Sequence, residues 1–360
     1  MYIKKLTLNN FRNYDSQEIE FGDNINIIFG NNAQGKTNII EAIYLCAYGK
    51  SFRAKKDSDL INFNEKDAEV EVNFHKIDRE AKISFKINNQ KTFFVNDIKQ
   101  NKISDIIGKV NIIIFTPDDI NIIKGGPQNR RKFFDMMISS LRPNYLHLLN
   151  TYNKALEQRN NYLKQIKNEN KSLDLLDIWD EQLAELDYKI YEYRNNYVQK
   201  IYEKIKDIHN LITKSGNLTE ELKIKYISTG NSKESFFENL IKSRKVDINR
   251  GFTGVGIHRD DIVFYINKKP VSVFGSQGQQ RTVVLSLKLA ELKVVSEEIG
   301  DTPILLLDDF MSELDEKRRK VFLEKIRDNQ VILTCTDFIE IDSKNQKIYY
   351  IENGKCIERK

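Results

Sequence analysis

Cysteine is scarce in this chain: Cys46, Cys335 and Cys356 lie far apart and in no metal-ligand spacing. So odd and scattered a set excludes a disulfide scaffold and a zinc module, and it fits a reducing compartment. Long apolar runs are also missing. None approaches the roughly 20 residues that span a bilayer. The opening Met1-Tyr2-Ile3-Lys4-Lys5 leads into alternating residues with no apolar core of a secretory signal. A cytoplasmic protein with no membrane association is therefore expected. Histidine is rare, and His75, His147 and His209 stand in no ligand spacing. H-E-x-x-H, C-x-x-C, G-x-S-x-G and a full G-x-G-x-x-G do not occur, which leaves metalloprotease, zinc-module, serine-hydrolase and dinucleotide readings without support. Neither sign of charge dominates: 57 Lys and Arg face 52 Asp and Glu, a net +5 that permits a nucleic-acid partner without demanding one.

The 360 residues are enough for two or three compact units. Ile3, Leu6, Leu8 and Phe11 alternate with polar residues as in a half-buried strand, and Ile19 with Phe21 marks a second. Ile25, Ile27, Ile28 and Phe29 read as a strand covered on both faces. It stops at Gly30, and Ile39, Ile40, Ile43 and Ala47 then recur at helical spacing. Residues 69–95 alternate again, predicting an antiparallel sheet with turns near Asp78 and Asn88-Asn89. Ile112 to Phe115 is another buried strand. Tyr152, Leu156, Leu163 and Ile166, then Trp179, Leu183, Leu186, Ile190, Tyr193 and Tyr197, form two stripes around a polar turn. They predict a helical hairpin, either a packed subdomain or a short projecting coiled coil. Strand patterns return after Lys223. A helix is expected from about Gln280, a buried strand over Ile304 to Leu307, a helix over Glu316 to Arg327 and a last strand over Val331 to Leu333. The expected division is 1–140 and 216–360 as two parts of one α/β head, with 141–215 as a helical arm between them.

Gly30-Asn31-Asn32-Ala33-Gln34-Gly35-Lys36-Thr37 matches G-x-x-x-x-G-K-[ST] in full, with a strand before it and a helix, opening through Asn38, after it. Glycines let the backbone curl so that successive N–H groups face phosphate oxygens, and the helix adds its positive end. Lys36 supplies a charge for the β- and γ-phosphates, and the Thr37 hydroxyl can ligate Mg²⁺. The strand Ile304-Leu305-Leu306-Leu307 delivers Asp308 and Asp309 to the edge where α/β sheets bind ligands. Asp308 is placed to hold the metal and Asp309 to orient or deprotonate water. Ser276-Gln277-Gly278-Gln279-Gln280 opens a helix whose apolar residues include Val284, Leu285 and Leu287. A serine and free N–H groups at a helix start form a second phosphate-recognition device, or a plain N-cap. Its place before the acidic strand resembles the S-G-G-Q signature of ABC ATPases, with Gln277 at the first glycine. In such ATPases the signature of one subunit covers the γ-phosphate held by another, so that dimerisation is linked to ATP.

The whole pattern resembles the RecF family of bacterial recombination-repair ATPases, relatives of SMC proteins. The motifs that carry the resemblance are Leu6-Thr7-Leu8-Asn9-Asn10-Phe11-Arg12-Asn13-Tyr14, the Gly30–Thr37 cradle, Phe115-Thr116-Pro117-Asp118-Asp119 with Gly126-Pro127 and Arg130-Arg131, His258-Arg259-Asp260-Asp261, the Ser276 signature, and Leu305–Asp309 with Ser312-Glu313-Leu314-Asp315. The resemblance implies an ABC-type P-loop ATPase head, a mixed sheet with flanking helices plus an antiparallel β part, with an inserted helical arm. It implies an ATPase that uses Mg²⁺ and dimerises with ATP on double-stranded DNA. It also implies work with RecR and, through RecO, in loading RecA at gaps and single-strand/double-strand junctions.

Three departures stand out: Ile257 where proline is expected before His258, Asp118 or Asp119 where a Q-loop glutamine is expected, and Thr334 or Thr336 in place of a histidine γ-phosphate sensor. They imply slow turnover. Arg12 is expected either at the nucleotide or as a surface charge. Lys50, Arg53, Lys55, Lys56, Arg130 and Arg131 are expected either to meet DNA phosphates or to be solvated. His258 and Arg259 belong either to an interface or to a buried network. Two other functions remain open, a non-turnover ATP-binding nucleic-acid scaffold and a transporter-type ABC subunit.

Overall fold

The longest apolar runs become the most deeply covered strands. In a computed structural model, which describes residues 1–77, 79–169, 171–213, 220–338, 341 and 346–359, the side chains of Ile304, Leu305, Leu306 and Leu307 are completely buried. Burial of each such side chain contributes about 1.5–3 kcal/mol. Two compact units form, one from residues 1–119 and 291–360 and the other from 120–290.

The first unit holds two six-stranded sheets. In one, the strand order is Lys355–Arg359, Gln346–Glu352, Ile25–Phe29, Val331–Cys335, Ile304–Asp308, Ile112–Phe115. Every pairing in it is parallel except that of Gln346–Glu352 with Lys355–Arg359. Register aligns Ile28 with Thr334 and Thr334 with Asp308, so these three residues form one row at the carboxyl edge of adjacent strands. The other sheet is antiparallel, beginning with Tyr2–Phe11 between Tyr14–Glu20 and Ala68–Lys76 and continuing through Arg79–Ile87 and Lys91–Val95. The turn expected near Asn88-Asn89 lies between the last two strands, with Gln90 N–H donating to Asn88 Oδ1 at 2.9 Å. The turn expected near Asp78 lies outside the described residues.

The second unit contains the two striped helices, Pro143–Glu169 and Asp174–Thr213. The latter has 40 residues, about 60 Å at 1.5 Å per residue, and packs on both Pro143–Glu169 and Lys233–Arg250. That last helix was not legible in the sequence, because its buried set of Phe236, Leu240 and Asp247 breaks the apolar stripe with a carboxylate.

Charge ties these three helices together. Arg159, Asp180 and Asp247 are each fully buried. Arg159 Nε donates to Asp180 Oδ1 at 2.6 Å and its Nη1 to Asp247 Oδ2 at 2.9 Å, while Arg244 Nε donates to Asp180 Oδ2 at 2.6 Å. Removing one member of such a set strands the others in a medium that cannot solvate them. Arg159→Ala is therefore expected to destabilise the fold by about 3–5 kcal/mol, measured as a fall in the urea midpoint. An unchanged midpoint refutes this role.

His258 and its neighbours join a comparable network. His258 Nδ1 lies 2.7 Å from Tyr152 Oη and its Nε2 lies 3.1 Å from the Thr253 carbonyl, and burial pushes its pKa down to about 4. Ile257 N–H donates to the buried Asp187 at 2.8 Å. A proline at 257 has no such proton to give, so the departure at this position is matched to a carboxylate 70 residues away.

Candidate nucleotide-binding site

The cradle departs from ordinary backbone at Gly30 (φ +151°), Ala33 (φ +63°) and Gly35 (φ +113°). A Cβ on Gly30 would stand 2.5 Å from the Ile351 carbonyl oxygen, so only glycine fits where the neighbouring strand passes. The turn between the first two strands holds the loop in place. Asn13 Nδ2 donates to the Gln34 carbonyl at 2.9 Å, Tyr14 Oη to the Gly35 carbonyl at 3.1 Å, and Asn38 Nδ2 to Asn13 Oδ1 at 2.7 Å. Sequence reasoning missed Asn13 and Tyr14 as cradle supports. Their only signal was membership in the Phe11–Tyr14 motif.

Lys36 Nζ reaches back over the loop to the carbonyls of Gly30 (2.5 Å) and Asn31 (2.9 Å). Burial lowers its pKa, while Asp309 and Asp308 oppose that shift. Asp308 Oδ1 accepts from Thr37 Oγ1 at 2.8 Å and from Thr334 Oγ1 at 2.9 Å. Burial raises the Asp308 pKa, and the two hydroxyls counter it. Asp309 sits in the left-handed region (φ +50°), its N–H donating to Thr334 Oγ1 at 3.0 Å. Thr334, expected as a sensor, thus touches both acids, whereas Thr336 meets Asn32 at 3.3 Å.

Asn32, Lys36, Thr37, Asp308, Asp309 and Thr334 border a cavity of about 310 Å³, together with Ala33, Gly35, Asn38 and Arg53. Arg53 was expected either to meet DNA phosphates or to be solvated; it is exposed, and its Nη1 donates to Asn38 Oδ1 at 3.2 Å at this cavity. Arg12 is not among the cavity's lining residues. Its guanidinium grips the buried Glu41 through Nε (2.9 Å) and Nη2 (2.8 Å). It borders an adjoining recess of about 650 Å³, which shares Asn38 and Arg53 with the cavity and includes Asn62 and Phe63.

The other expected contacts divide. Lys50, Lys55 and Lys56 are exposed. Arg130 is not: it is 7 % exposed and pairs bidentately with Asp261 at 2.7 and 3.0 Å. Arg130 was expected either to meet DNA phosphates or to be solvated, and neither suits a buried guanidinium whose Nε and Nη2 hold Asp261 while its Nη1 donates to the Gly125 carbonyl at 2.7 Å. Arg131 donates to the Asp260 carbonyl. In the second unit, Ser276 caps the helix Gln277–Ile299: Gln279 N–H donates to Ser276 Oγ at 3.2 Å, and Ser276 N–H to Gln279 Oε1 at 2.9 Å. The N-cap that the sequence allowed beside the phosphate reading is thus formed, as a reciprocal cap in which Ser276 Oγ is the acceptor.

The donor set around Asp308 fits Mg²⁺: a hydroxyl and a carboxylate oxygen 2.8 Å apart are hard ligands, and a buried carboxylate favours a cation beside it. Among the described residues no cluster of three or more His, Cys, Asp or Glu side chains suits a metal held by protein alone. A Mg²⁺ ion shared with phosphate oxygens needs none. No helix of the described residues is long and apolar enough to cross a membrane.

Strand order and the loop at this sheet edge define an ABC-type P-loop ATPase head. The family model for the RecF/RecN/SMC N terminal domain matches residues 2–356. The DNA replication and repair protein RecF of Clostridium perfringens is 43% identical over 326 residues, covering 89% of each chain. The chain belongs to the RecF family of DNA replication and repair proteins. RecF of Alkaliphilus oremlandii is 42% identical over 330 residues, again covering 89% of each. A solved structure of the recombination mediator protein RecF with ATP in the RecFOR pathway superimposes with a TM-score of 0.93 at 39% identity, covering 100% of this chain and 98% of that one. An SMC head bound to the C-terminal winged-helix domain of ScpA shares the fold at a TM-score of 0.60 and 18% identity, covering 100% of this chain and 98% of that chain.

Proposed function

We propose that this ATPase binds ATP with Mg²⁺ at the Gly30–Thr37 cradle, dimerises on double-stranded DNA when ATP is bound, and supports recombinational repair. The convergence of Lys36, Thr37 and Asp308 on one cavity carries the reading. Backbone N–H groups of residues 31–37 cradle the β- and γ-phosphates, and Lys36 exchanges its carbonyl partners for phosphate oxygens. Thr37 and Asp308 hold the Mg²⁺ ion, which when bound neutralises charge on the phosphates. Asp309 orients the attacking water or accepts its proton, and Thr334 fixes both acids. Arg53 meets a phosphate from the open side. Base and ribose occupy the adjoining recess, where the 98 % exposed Phe63 offers a stacking face.

Ser276, Gln277, Gly278 and Gln279 of a second copy close the site over the γ-phosphate, the N–H groups of that helix start facing it with the positive end of the helix. Hydrolysis is slow and stimulated by DNA, and it releases the dimer. RecR, with RecO and RecA downstream, is the proposed set of protein partners at gaps and junctions. Support comes from the family and from the RecFOR context named for the similar structure. Thr334 in place of a histidine disfavours a transporter-type subunit. A scaffold without turnover is separated by phosphate release. Light scattering and phosphate release with ATP, ADP and no nucleotide, each with and without duplex DNA, test the proposal. A monomer that turns ATP over with no response to DNA overturns it.

Lys55 and Lys56 remain candidates for the DNA face. Reversing both charges is expected to flatten the slope of log affinity against log salt by about two phosphate equivalents, since each neutralised phosphate contributes about 0.9. An unchanged slope removes the pair from the interface.

A further inference from the structure

The signature cap is tied to the long helix of its own unit. Gln279 is its centre, because both ends of its side-chain amide are used. Oε1 accepts from Ser276 N–H at 2.9 Å and Nε2 donates to Glu220 Oε1 at 2.9 Å. The other Glu220 oxygen lies 3.1 Å from His209 Nε2, in the last turn of Asp174–Thr213. His209 Nδ1 lies 3.3 Å from Ser286 Oγ, whose proton goes to the Thr282 carbonyl at 2.7 Å. Thr282 and Ser286 lie on the signature helix, so the ring of contacts leaves that helix at its first turn, passes through Glu220 and His209, and returns two turns later. His209 is fully buried, and burial lowers its pKa against the pull of Glu220.

We propose that Glu220 is a positioning residue for the signature: its carboxylate locks the Ser276–Gln279 cap to His209 and so fixes the orientation in which Ser276 meets the nucleotide of a second copy. The proposal rests on the shared-site reading above. A glutamine at the third position of a capping box has rotamers to spare, and a bond to only one end of its amide leaves the rest of the cap mobile. Bonds at both ends, one of them to a charged acceptor, remove that freedom before the two copies meet. The benefit falls on closure and hydrolysis, not on capture of ATP by the cradle of the same chain, which Glu220 does not build.

Glu220→Ala, Glu220→Gln and Ser276→Arg in the full-length chain test this, read by phosphate release, ATP-dependent light scattering, affinity for a fluorescent ATP analogue and thermal midpoint. Glu220→Ala is expected to lose about 10–100-fold in hydrolysis and to dimerise weakly, the scale of a small misplacement at a catalytic site. Its analogue affinity stays at the wild-type value, while its thermal midpoint falls modestly because the buried His209 loses the partner of its Nε2. Glu220→Gln still accepts from Gln279 and can donate to a neutral His209, so it recovers most of the loss. His209→Gln, which retains an amide for Glu220, tests the same tie from the far end and is expected to fall between the two. Wild-type hydrolysis by Glu220→Ala, or equal losses in the alanine and glutamine variants, or a parallel fall in analogue affinity, overturns the positioning role. The two readings fail differently. If Ser276→Arg is inactive while Glu220→Ala is normal, the shared site stands and Glu220 has no part in it. If Ser276→Arg itself behaves as wild type, the shared site fails and the positioning role falls with it.

Discussion

Lys36→Ala is expected to reduce ATP turnover by about 10³-fold or more, the scale on which a single cation directed at a transferring phosphoryl group acts. Lys36 as a residue is 8 % exposed, and its ammonium is held over the loop by the carbonyls of Gly30 and Asn31, at 2.5 and 2.9 Å. It is thus pre-positioned beside the loop whose backbone N–H groups are proposed to meet the same phosphates. Burial that lowers its pKa also means that little water competes for its charge. Lys36→Arg is expected to recover little: the guanidinium is a wide planar fork, and the space at the mouth of the loop is shaped for a compact point charge. Phosphate release gives the rate, and equilibrium binding of a fluorescent ATP analogue gives the affinity, expected to fall as well. Because the cradle is built by Asn13, Tyr14 and the two glycines rather than by Lys36, the variant should keep its fold by circular dichroism. Turnover near the wild-type rate in a folded Lys36→Ala chain refutes the assignment.

The cradle was legible because its chemistry is local. Eight consecutive residues carry the turn, the charge and the hydroxyl, and the strand and helix that flank them announce themselves by apolar spacing. The same holds for Ile304–Asp308, where a fully buried strand has to be apolar until it reaches the edge. Contacts that join distant parts of the chain were out of reach. Nothing around Arg130 predicts Asp261 as its partner 131 positions later, so a buried ion pair reads in one dimension like a surface charge. Arg53 has the same ambiguity: grouped with Lys50, Lys55 and Lys56 by proximity, it is exposed like them and also borders the cavity lined by Lys36 and Asp308. Thr334 was visible only as a replacement for an expected histidine. Sheet register, which puts it beside Asp308, is set by strand pairing across 26 positions and leaves no trace in either segment. Helix ends were legible to within a few residues. The signature helix begins at Gln277 rather than near Gln280, since its capping residues are polar and the apolar stripe starts later. The tail strands, Gln346–Glu352 and Lys355–Arg359, extend the central sheet and supply the Ile351 carbonyl that makes Gly30 obligatory. A glycine's reason can therefore lie 321 residues beyond it.

Equal amounts of Lys36→Ala and Ser276→Arg chains, each inactive alone, are expected to recover part of the wild-type hydrolysis when mixed. Ser276→Arg places a long cation at the start of the signature helix, where it disrupts the cap with Gln279 and adds bulk on the side meant to approach a second copy. By itself it should show no ATP-dependent dimer in light scattering, and a turnover loss comparable to that of Lys36→Ala, while still binding the ATP analogue through its intact cradle. In a mixed dimer one composite site joins the cradle of the Ser276→Arg chain to the signature of the Lys36→Ala chain, and both of these parts are wild type. The other site carries both lesions. Random pairing makes about half of the dimers mixed, so at most about a quarter of the wild-type sites can be restored, less whatever pairing the arginine still obstructs. An ATPase whose cradle and signature act within one chain cannot show this recovery, because every chain in the mixture carries a disabling change. Rates for the mixture that equal the sum of the two separate variants, at concentrations where the wild-type chain dimerises with ATP, would mean that the signature helix serves the nucleotide of its own chain or none at all.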